Sequence, residues 1–100
     1  MGPISVDPER HQVLVDGAPV ALATTEFRIL KTLMSAGGRV LDRSRLIDAV
    51  LGPMVAVTDR TIDVHIASLR KKLGGSAAAW VQTVRGVGYT FREPESGPHD

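Results

Sequence analysis

The sequence predicts an α+β fold in which an antiparallel sheet comes first, three helices follow and a β-hairpin comes last. Three observations support this order. Short apolar stretches alternate with turn residues over positions 3–22, apolar residues recur at helical spacing over 24–73, and two strand-like stretches flank Gly86-Val87. The 100 residues are enough for one domain with a buried core and too few for a second.

The composition excludes several classes of protein. The chain has no cysteine, which excludes a disulfide framework, a thiolate metal site and a cysteine nucleophile. No stretch approaches the roughly 18 consecutive apolar residues of a membrane span, and residues 1–5 lack the basic and apolar regions of a signal peptide. We therefore expect a soluble protein that is not exported.

Positive charge is concentrated in the second half of the chain, although the formal net charge is only +1. Residues 1–57 carry six basic and six acidic side chains, residues 58–92 carry six and two, and residues 93–100 carry three acidic ones. This segregation favours a nucleic-acid partner for the basic segment. A charged helix face that is simply solvated is the alternative that the same pattern allows.

The first sheet is predicted from three strands at 4–6, 11–15 and 18–22, with a turn at Asp7-Pro8 after the first. Asp16-Gly17 separates the second and third strands, and both of its residues tolerate the positive φ angles of a tight hairpin turn. We therefore expect the second and third strands to pair antiparallel.

Two helices are predicted after the first sheet. The first begins at Thr24, whose hydroxyl group can cap it, and ends before Gly37-Gly38. The second is capped by Asp42 and ends at Val50 or Leu51. Apolar residues at helical spacing predict that the first helix is buried: Phe27, Leu30, Leu33 and Met34.

The third helix, residues 58–73 with Thr58 as its cap, has an apolar stripe on one side and an isolated valine on the other. The stripe consists of Ile62, Ile66, Leu69 and Leu73. Val64 lies almost opposite, among small and cationic residues: Arg60, Thr61, Ala67, Ser68 and Lys71. Such a face suits the DNA major groove, where hydroxyl groups and cations meet base edges and phosphates and a small apolar side chain meets the thymine methyl group.

A β-hairpin is predicted from strands at 80–85 and 88–92, after a small loop at 76–79. Gly86-Val87 fits a two-residue type II′ turn, which places Arg85 near the tip of the hairpin. Residues 93–100 are rich in Pro, Gly, Glu and Asp, and we expect a flexible C-terminal tail there.

Four segments of the chain occur in an order and spacing that carry a family resemblance: Thr24-Thr-Glu-Phe27, Asp59-Arg-Thr-Ile-Asp-Val-His-Ile66, Leu69-Arg-Lys-Lys-Leu73 and Val81-Gln-Thr-Val-Arg-Gly-Val-Gly-Tyr89. Over residues 3–92 the chain resembles the DNA-binding effector domain of OmpR/PhoB-family response regulators. The resemblance implies a winged helix-turn-helix fold, in which the third helix enters the major groove and the hairpin, called the wing, enters the minor groove.

The resemblance also implies a role in transcription. A protein of this family is a cytoplasmic two-component regulator, in which a sensor kinase phosphorylates a receiver domain that is absent from this chain. Such proteins dimerise on tandem DNA half-sites and contact RNA polymerase, whereas the isolated effector domain is expected to be monomeric. Ala67 and Ser68 stand where many relatives carry arginine, and this pair resembles more closely the CpxR-like branch.

The resemblance assigns contacts to the third helix, to the wing and to one loop. Major-groove contacts are expected from Arg60, Thr61, Asp63, Val64, Ala67 and Ser68. Phosphate contacts are expected from His65, Arg70, Lys71 and Thr83. Minor-groove contacts are expected from Arg85 and Gly86, and polymerase contacts from Met54 and Val55 in the loop before the third helix.

Several of these positions also allow a purely structural interpretation. Val64 would be a stray surface valine, and His65 would be a packed histidine. Lys72, on the same helix, would compensate the negative end of the helix dipole. Asp63 is expected to orient Arg60 or a neighbouring cation rather than to accept a hydrogen bond from cytosine N4. For the loop before the third helix, packing against the domain is as well supported as a polymerase contact.

A winged helix that binds other proteins and has lost specific DNA binding is the alternative function, because Ala67 and Ser68 are short and the net charge is near zero. An enzyme is not expected, since the three histidines are scattered and neither a carboxylate pair nor a serine with a base partner occurs at a suitable spacing. No metal ion or cofactor is expected either.

Overall fold

The computed structural model describes residues 2–52 and 59–94, which contain two three-stranded antiparallel sheets and four helices. This element order confirms the predicted α+β class. The predicted cap Thr58, the loop residues Met54 and Val55, and residues 95–100 of the expected tail lie outside the described residues.

The first sheet contains β1 (Ile4–Asp7), β2 (Gln12–Val15) and β3 (Ala18–Val20), with β2 in the middle. The predicted antiparallel pairing of β2 with β3 is confirmed. Asp16 and Gly17 between them have φ angles of 51° and 83°, as a two-residue type I′ turn requires.

Helix α1 (Thr24–Ser35) begins one residue earlier than it would with Thr24 as its N-cap. Its N-cap residue is Ala23, which has no side-chain acceptor, so the predicted cap is wrong. The carboxylate of Glu26 accepts a hydrogen bond of 2.9 Å from the Ala23 backbone N–H instead. This contact is one half of a capping box, and it fixes the entry into α1.

Helix α2 (Arg43–Val50) begins as predicted, with the Asp42 carboxylate accepting a hydrogen bond of 2.8 Å from the Arg45 backbone N–H. The residues before it form the short strand β4 (Leu41–Asp42), which the sequence did not predict. A two-residue strand shows no alternation, and its partner lies far along the chain.

Helix α3 (Asp59–Leu73) packs its predicted stripe into the core, because Ile62, Ile66 and Leu69 are almost completely buried. A one-turn helix, α4 (Gly75–Ala78), replaces the predicted small loop. Ala77 is buried there and anchors the turn to the core.

The second sheet joins β4 to the predicted hairpin, β5 (Val81–Val84) and β6 (Gly88–Phe91), in the order β4-β6-β5. Strand β5 therefore lies at an edge of this sheet. Gly88 faces β4, where a Cβ atom would overlap the carbonyl oxygen of Leu41. Glycine at this position allows the close approach of the two backbones.

One apolar core unites the helices with both sheets. Its side chains come from β1 and β2, from each of the longer helices and from the hairpin, and the fully buried ones include Ile4, Val13, Leu30, Leu33, Leu46, Ile62, Ile66, Leu69, Val81 and Phe91. No helix within residues 2–52 and 59–94 is long and apolar enough to cross a lipid bilayer.

Candidate nucleic-acid interface

The outer face of α3 presents a narrow strip of four exposed residues, Arg60, Val64, Ala67 and Lys71. We call this set the reading strip. Val64 keeps 60% of its surface exposed, which is the largest exposure of a big apolar side chain in the described part of the chain. The buried stripe of the same helix lies on the opposite side, so packing against the core directs the reading strip outward.

A shallow cavity of about 580 Å³ lies beside the reading strip and is lined by Arg43, Arg60, Asp63, Val64 and Ala67. Arg43 belongs to α2 and was not among the predicted site residues. The sequence does predict the position of Arg43 in its own helix, since Asp42 caps α2 and makes Arg43 the first residue. That a residue at the start of α2 reaches α3 depends on how the two helices pack.

Asp63 pairs with Arg43 and Tyr89. Its Oδ1 accepts a hydrogen bond of 2.8 Å from Arg43 Nε and one of 2.5 Å from the Tyr89 hydroxyl group. The Tyr89 hydroxyl and the Arg43 guanidinium hold the pKa of the Asp63 carboxyl below its ordinary value. Asp63 therefore orients a neighbouring cation, as predicted, and that cation is Arg43.

Tyr89 connects this flank of α3 to the wing. The Arg43 guanidinium carbon lies 5.6 Å from the centre of the Tyr89 ring, and the Arg70 guanidinium carbon lies 5.8 Å from it. Burial, together with the hydrogen bond to Asp63, raises the pKa of the Tyr89 hydroxyl group above its ordinary value. The hydroxyl therefore stays protonated and acts as a donor at neutral pH.

Arg70 lies between α3 and β5. Its Nε donates to the Val81 carbonyl oxygen at 2.9 Å, and its Nη2 donates to Thr83 Oγ1 at 2.7 Å. Both Arg70 and Thr83 were predicted to contact phosphate. The structure brings the two side chains together and leaves Thr83 exposed.

The opposite flank of α3 is tied to α1 by Glu26, whose side chain is only 4% exposed. Its two carboxylate oxygens accept hydrogen bonds of 2.5 Å from Ser68 Oγ and 2.7 Å from Lys72 Nζ. Burial raises the pKa of this carboxyl, but hydrogen bonds from Lys72, Ser68 and the Ala23 backbone outweigh burial and lower it overall. Sequence patterns do not predict this contact, because Glu26 and Ser68 are 42 positions apart.

The remaining predicted residues of α3 lie on its sides. Thr61 and His65 are half-buried, on the same flank as Ser68. The hydroxyl group of Ser68, predicted for the major groove, donates to Glu26.

The wing presents Arg85, Gly86 and Val87 at its tip, all of them exposed. The predicted two-residue type II′ turn is wrong, because Val84 pairs with Gly88 and three residues form the loop. The Val87 N–H donates to the Val84 carbonyl at 3.0 Å, and Gly86 has a φ of 77° at the third position of that turn. A positive φ there is the feature of a type II turn. Arg85 remains at the tip as predicted.

Comparison with known proteins identifies the family. Residues 17–91 match the family model described as the C-terminal domain of transcriptional regulatory proteins. The chain belongs to this family. Among its relatives is the phosphate regulon transcriptional regulatory protein PhoB of Pseudomonas aeruginosa, 45% identical over 91 residues, which are 91% of this chain and 40% of that protein. PhoB of Rhizobium meliloti is 48% identical over 90% of this chain and 40% of its own length.

Solved structures of the family share the fold. The DNA-binding domain of RstA from Klebsiella pneumoniae, in complex with the RstA box, has a TM-score of 0.79 and 37% identity, and the match covers 90% of this chain and 91% of that one. The DNA-binding domain of CpxR from Escherichia coli has a TM-score of 0.81 and 33% identity, over 95% of each chain. The OmpR/PhoB resemblance and the winged helix-turn-helix fold are therefore confirmed.

The chain spans about 40% of the length of the curated relatives that it matches. In these relatives, the family domain is accordingly accompanied by further sequence.

Proposed function

We propose that this chain binds double-stranded DNA sequence-specifically, as the output domain of a two-component transcriptional regulator. The observation that carries the proposal is the reading strip on α3, which lies exposed beside an arginine-tipped wing. A helix with this face fits the major groove, and an arginine on an adjacent hairpin fits the narrow minor groove next to it. Family membership and the DNA-bound structure of RstA support the same function.

The four residues of the reading strip have different roles in this proposal. Val64 contacts a thymine methyl group, and the small Ala67 leaves room for the base edge in the adjoining cavity. Arg60 and Lys71 reach base edges or phosphates at the two ends of the strip. Arg85, with the backbone of Gly86, enters the minor groove.

Residues on the flanks of α3 contribute fewer base contacts than the sequence alone suggested. Asp63 and Ser68 act by setting the position of α3, since each is bound to another element. Thr61 and His65 are placed to contact phosphate at the edge of the groove, and Thr83 offers its hydroxyl group to phosphate from the wing. With few long side chains facing the bases, specificity depends in part on half-site pairing and DNA shape.

Family membership supports a proposal about the partners. We propose that the domain acts in the cytoplasm, on tandem half-sites and as a dimer, under control of a receiver domain that a sensor kinase phosphorylates. RNA polymerase is a further proposed partner, through the loop that contains Met54 and Val55. The proposal includes no catalytic activity, metal ion or cofactor.

Selection of bound duplexes from a random library tests the function directly. We expect recovery of a direct repeat that contains thymine in each half-site, and nanomolar to micromolar binding of that repeat by fluorescence anisotropy. Failure to enrich any sequence and to shift any duplex at low salt would contradict the proposal. That result would favour a winged helix that binds proteins instead.

A further inference from the structure

Arg70 occupies a place in the fold that a phosphate contact does not explain. Its guanidinium group points across the flank of α3 to the wing and donates to two groups of β5, the Val81 carbonyl and the Thr83 hydroxyl. The same group lies against the ring of Tyr89, in β6. One side chain of α3 thus contacts both strands of the wing.

We propose that Arg70 is a positioning residue for DNA recognition, which fixes the wing relative to the reading strip. The inference rests on the proposed function. It differs from the role that the family resemblance suggested, in which Arg70 contacts the DNA backbone itself.

The sheet topology explains why an arginine is needed at this position. Within the part of the chain that the structure describes, β5 is an edge strand that pairs with β6 on one side and has no neighbouring strand on the other. Unpaired edge carbonyl groups need other donors or water. Arg70 supplies a donor to the carbonyl of Val81 and so takes the place of a missing strand. The planar guanidinium group binds a second acceptor with fixed geometry, which a lysine cannot do.

Thr83 connects this arrangement to the DNA. Its Oγ1 accepts the hydrogen bond from Arg70, and a hydroxyl group that accepts a hydrogen bond still has its own proton to donate. The charge of Arg70 polarises the hydroxyl and strengthens that donation. Because Thr83 is exposed, its proton is available to a phosphate oxygen.

The contacts of Arg70 with the wing matter for affinity because, in the proposed complex, the protein contacts two grooves at once. Arg85 follows Thr83 by two positions in the same hairpin, so the contacts of Arg70 limit how far the wing tip can move relative to α3. A wing held in place before binding loses less conformational freedom when the complex forms. The contribution of Arg85 should therefore depend on Arg70.

A double-mutant cycle on the whole chain tests the inference. Arg70→Met and Arg85→Ala are made singly and together, and the affinity for the selected repeat is measured by anisotropy. We expect Arg85→Ala to weaken binding at least fivefold more in the wild-type background than in the Arg70→Met background. Without the contacts of Arg70, the wing is not held in place and contributes little to affinity. Arg70→Lys should restore part of the coupling.

Lys71→Met, in the reading strip, is the matched control. Its loss should add to that of Arg85→Ala, and it should lower the slope of log affinity against log salt by about 1. Amide hydrogen exchange of the free protein gives a second readout, in which Arg70→Met should accelerate exchange in residues 81–91 while α1 stays protected.

The outcomes separate the two proposals. Additive losses for Arg70→Met and Arg85→Ala, with unchanged exchange in the wing, would show that Arg70 is a simple phosphate contact and overturn the inference alone. Absence of binding to every duplex by the wild-type protein would instead overturn the proposed function, and the inference with it.

Discussion

Val64 keeps 60% of its surface in water, although burying a valine fully gains about 1.5–3 kcal/mol. A single exposed apolar residue is ordinary on a protein surface. Val64 differs because a cavity and two cations adjoin it and the hydrophobic stripe of its helix faces the other way. These surroundings make it the centre of the reading strip.

Val64→Ser should remove discrimination between thymine and deoxyuridine at the contacted position. The wild-type protein is expected to lose about 3- to 10-fold in affinity when that thymine is replaced by deoxyuridine, because one methyl contact is worth roughly 1 kcal/mol. The variant should bind both duplexes equally, as measured by anisotropy. Val87→Ser, at an exposed valine of the wing tip, is the control and should retain the wild-type preference. A uniform loss on all duplexes would rule out direct contact with the methyl group.

Among the residues that the structure describes, Glu26 is the buried carboxylate, and its environment makes stability depend on pH. Its pKa is lowered in the folded protein, so its contribution is present above the unfolded value and is lost as the pH falls through the folded value. Glu26→Gln should reduce the free energy of unfolding by about 1–3 kcal/mol near neutral pH and flatten the decline in acid. Thermal unfolding followed by circular dichroism at several pH values measures both effects.

The control for this prediction is Asp48→Asn, which removes one carboxylate from the exposed face of α2. It should leave the acid decline close to that of the wild-type protein. An equally steep decline for Glu26→Gln would show that other carboxylates determine the acid sensitivity. Asp63 would then be the next candidate, since its pKa is also lowered.

At the scale of elements, the start of α1 shows which features of a helix the sequence predicts and which it does not. The helix itself followed from apolar spacing and the glycine pair at its end, whereas its cap did not. Ala23 occupies the N-cap in an extended conformation and is exposed. Glu26 completes only half of the capping box, since the reciprocal acceptor is missing.

Ala23→Ser should therefore stabilise the domain. A serine hydroxyl in this place accepts a hydrogen bond from the first turn of α1, which is worth about 0.5–2 kcal/mol. Urea unfolding should show a higher midpoint with an unchanged m-value. The control Ala49→Ser, at an exposed position within α2, should instead destabilise slightly because serine is a weaker helix former. A lower midpoint for Ala23→Ser would contradict the proposed cap.

Other elements were missed for a common reason. Strand β4 has two residues and helix α4 has four, so each contains only about one period of its pattern and the pattern does not repeat. The turn of the wing was misassigned because Gly86 fits either of two loop lengths, and the pairing of Val84 with Gly88 decides between them. Arg43 and Glu26 were missed because they contact α3 from helices that are distant in sequence, and local residue spacing does not predict such contacts.

For the molecule as a whole, a net charge of +1 coexists with a local group of cations on α3, at the start of α2 and at the wing tip. Arg43, Arg60 and Asp63 border the cavity, and Lys71 and Arg85 extend the basic area along α3 and to the wing tip. A protein with this distribution should bind DNA where its basic side faces phosphate and should have little attraction from other sides.

Binding should accordingly depend on salt to a moderate degree. With about three to five phosphates contacted per domain, the slope of log affinity against log salt concentration is expected to lie between about −2.7 and −4.5 for each domain bound. Anisotropy titrations at several salt concentrations, on the selected repeat and on a scrambled duplex, provide the measurement. A slope near zero on the selected repeat would exclude an electrostatic interface.

The hydrogen bonds on both flanks of α3 have a consequence for engineering its DNA specificity. Glu26 holds one side of the helix and the Arg43, Asp63 and Arg70 contacts hold the other, so the hydrogen bonds that orient the helix come from residues outside the reading strip. A combinatorial library confined to the reading strip, Arg60, Val64, Ala67 and Lys71, should thus yield folded variants at high frequency. Substitutions at these four positions could therefore be used to select variants that bind new operator sequences.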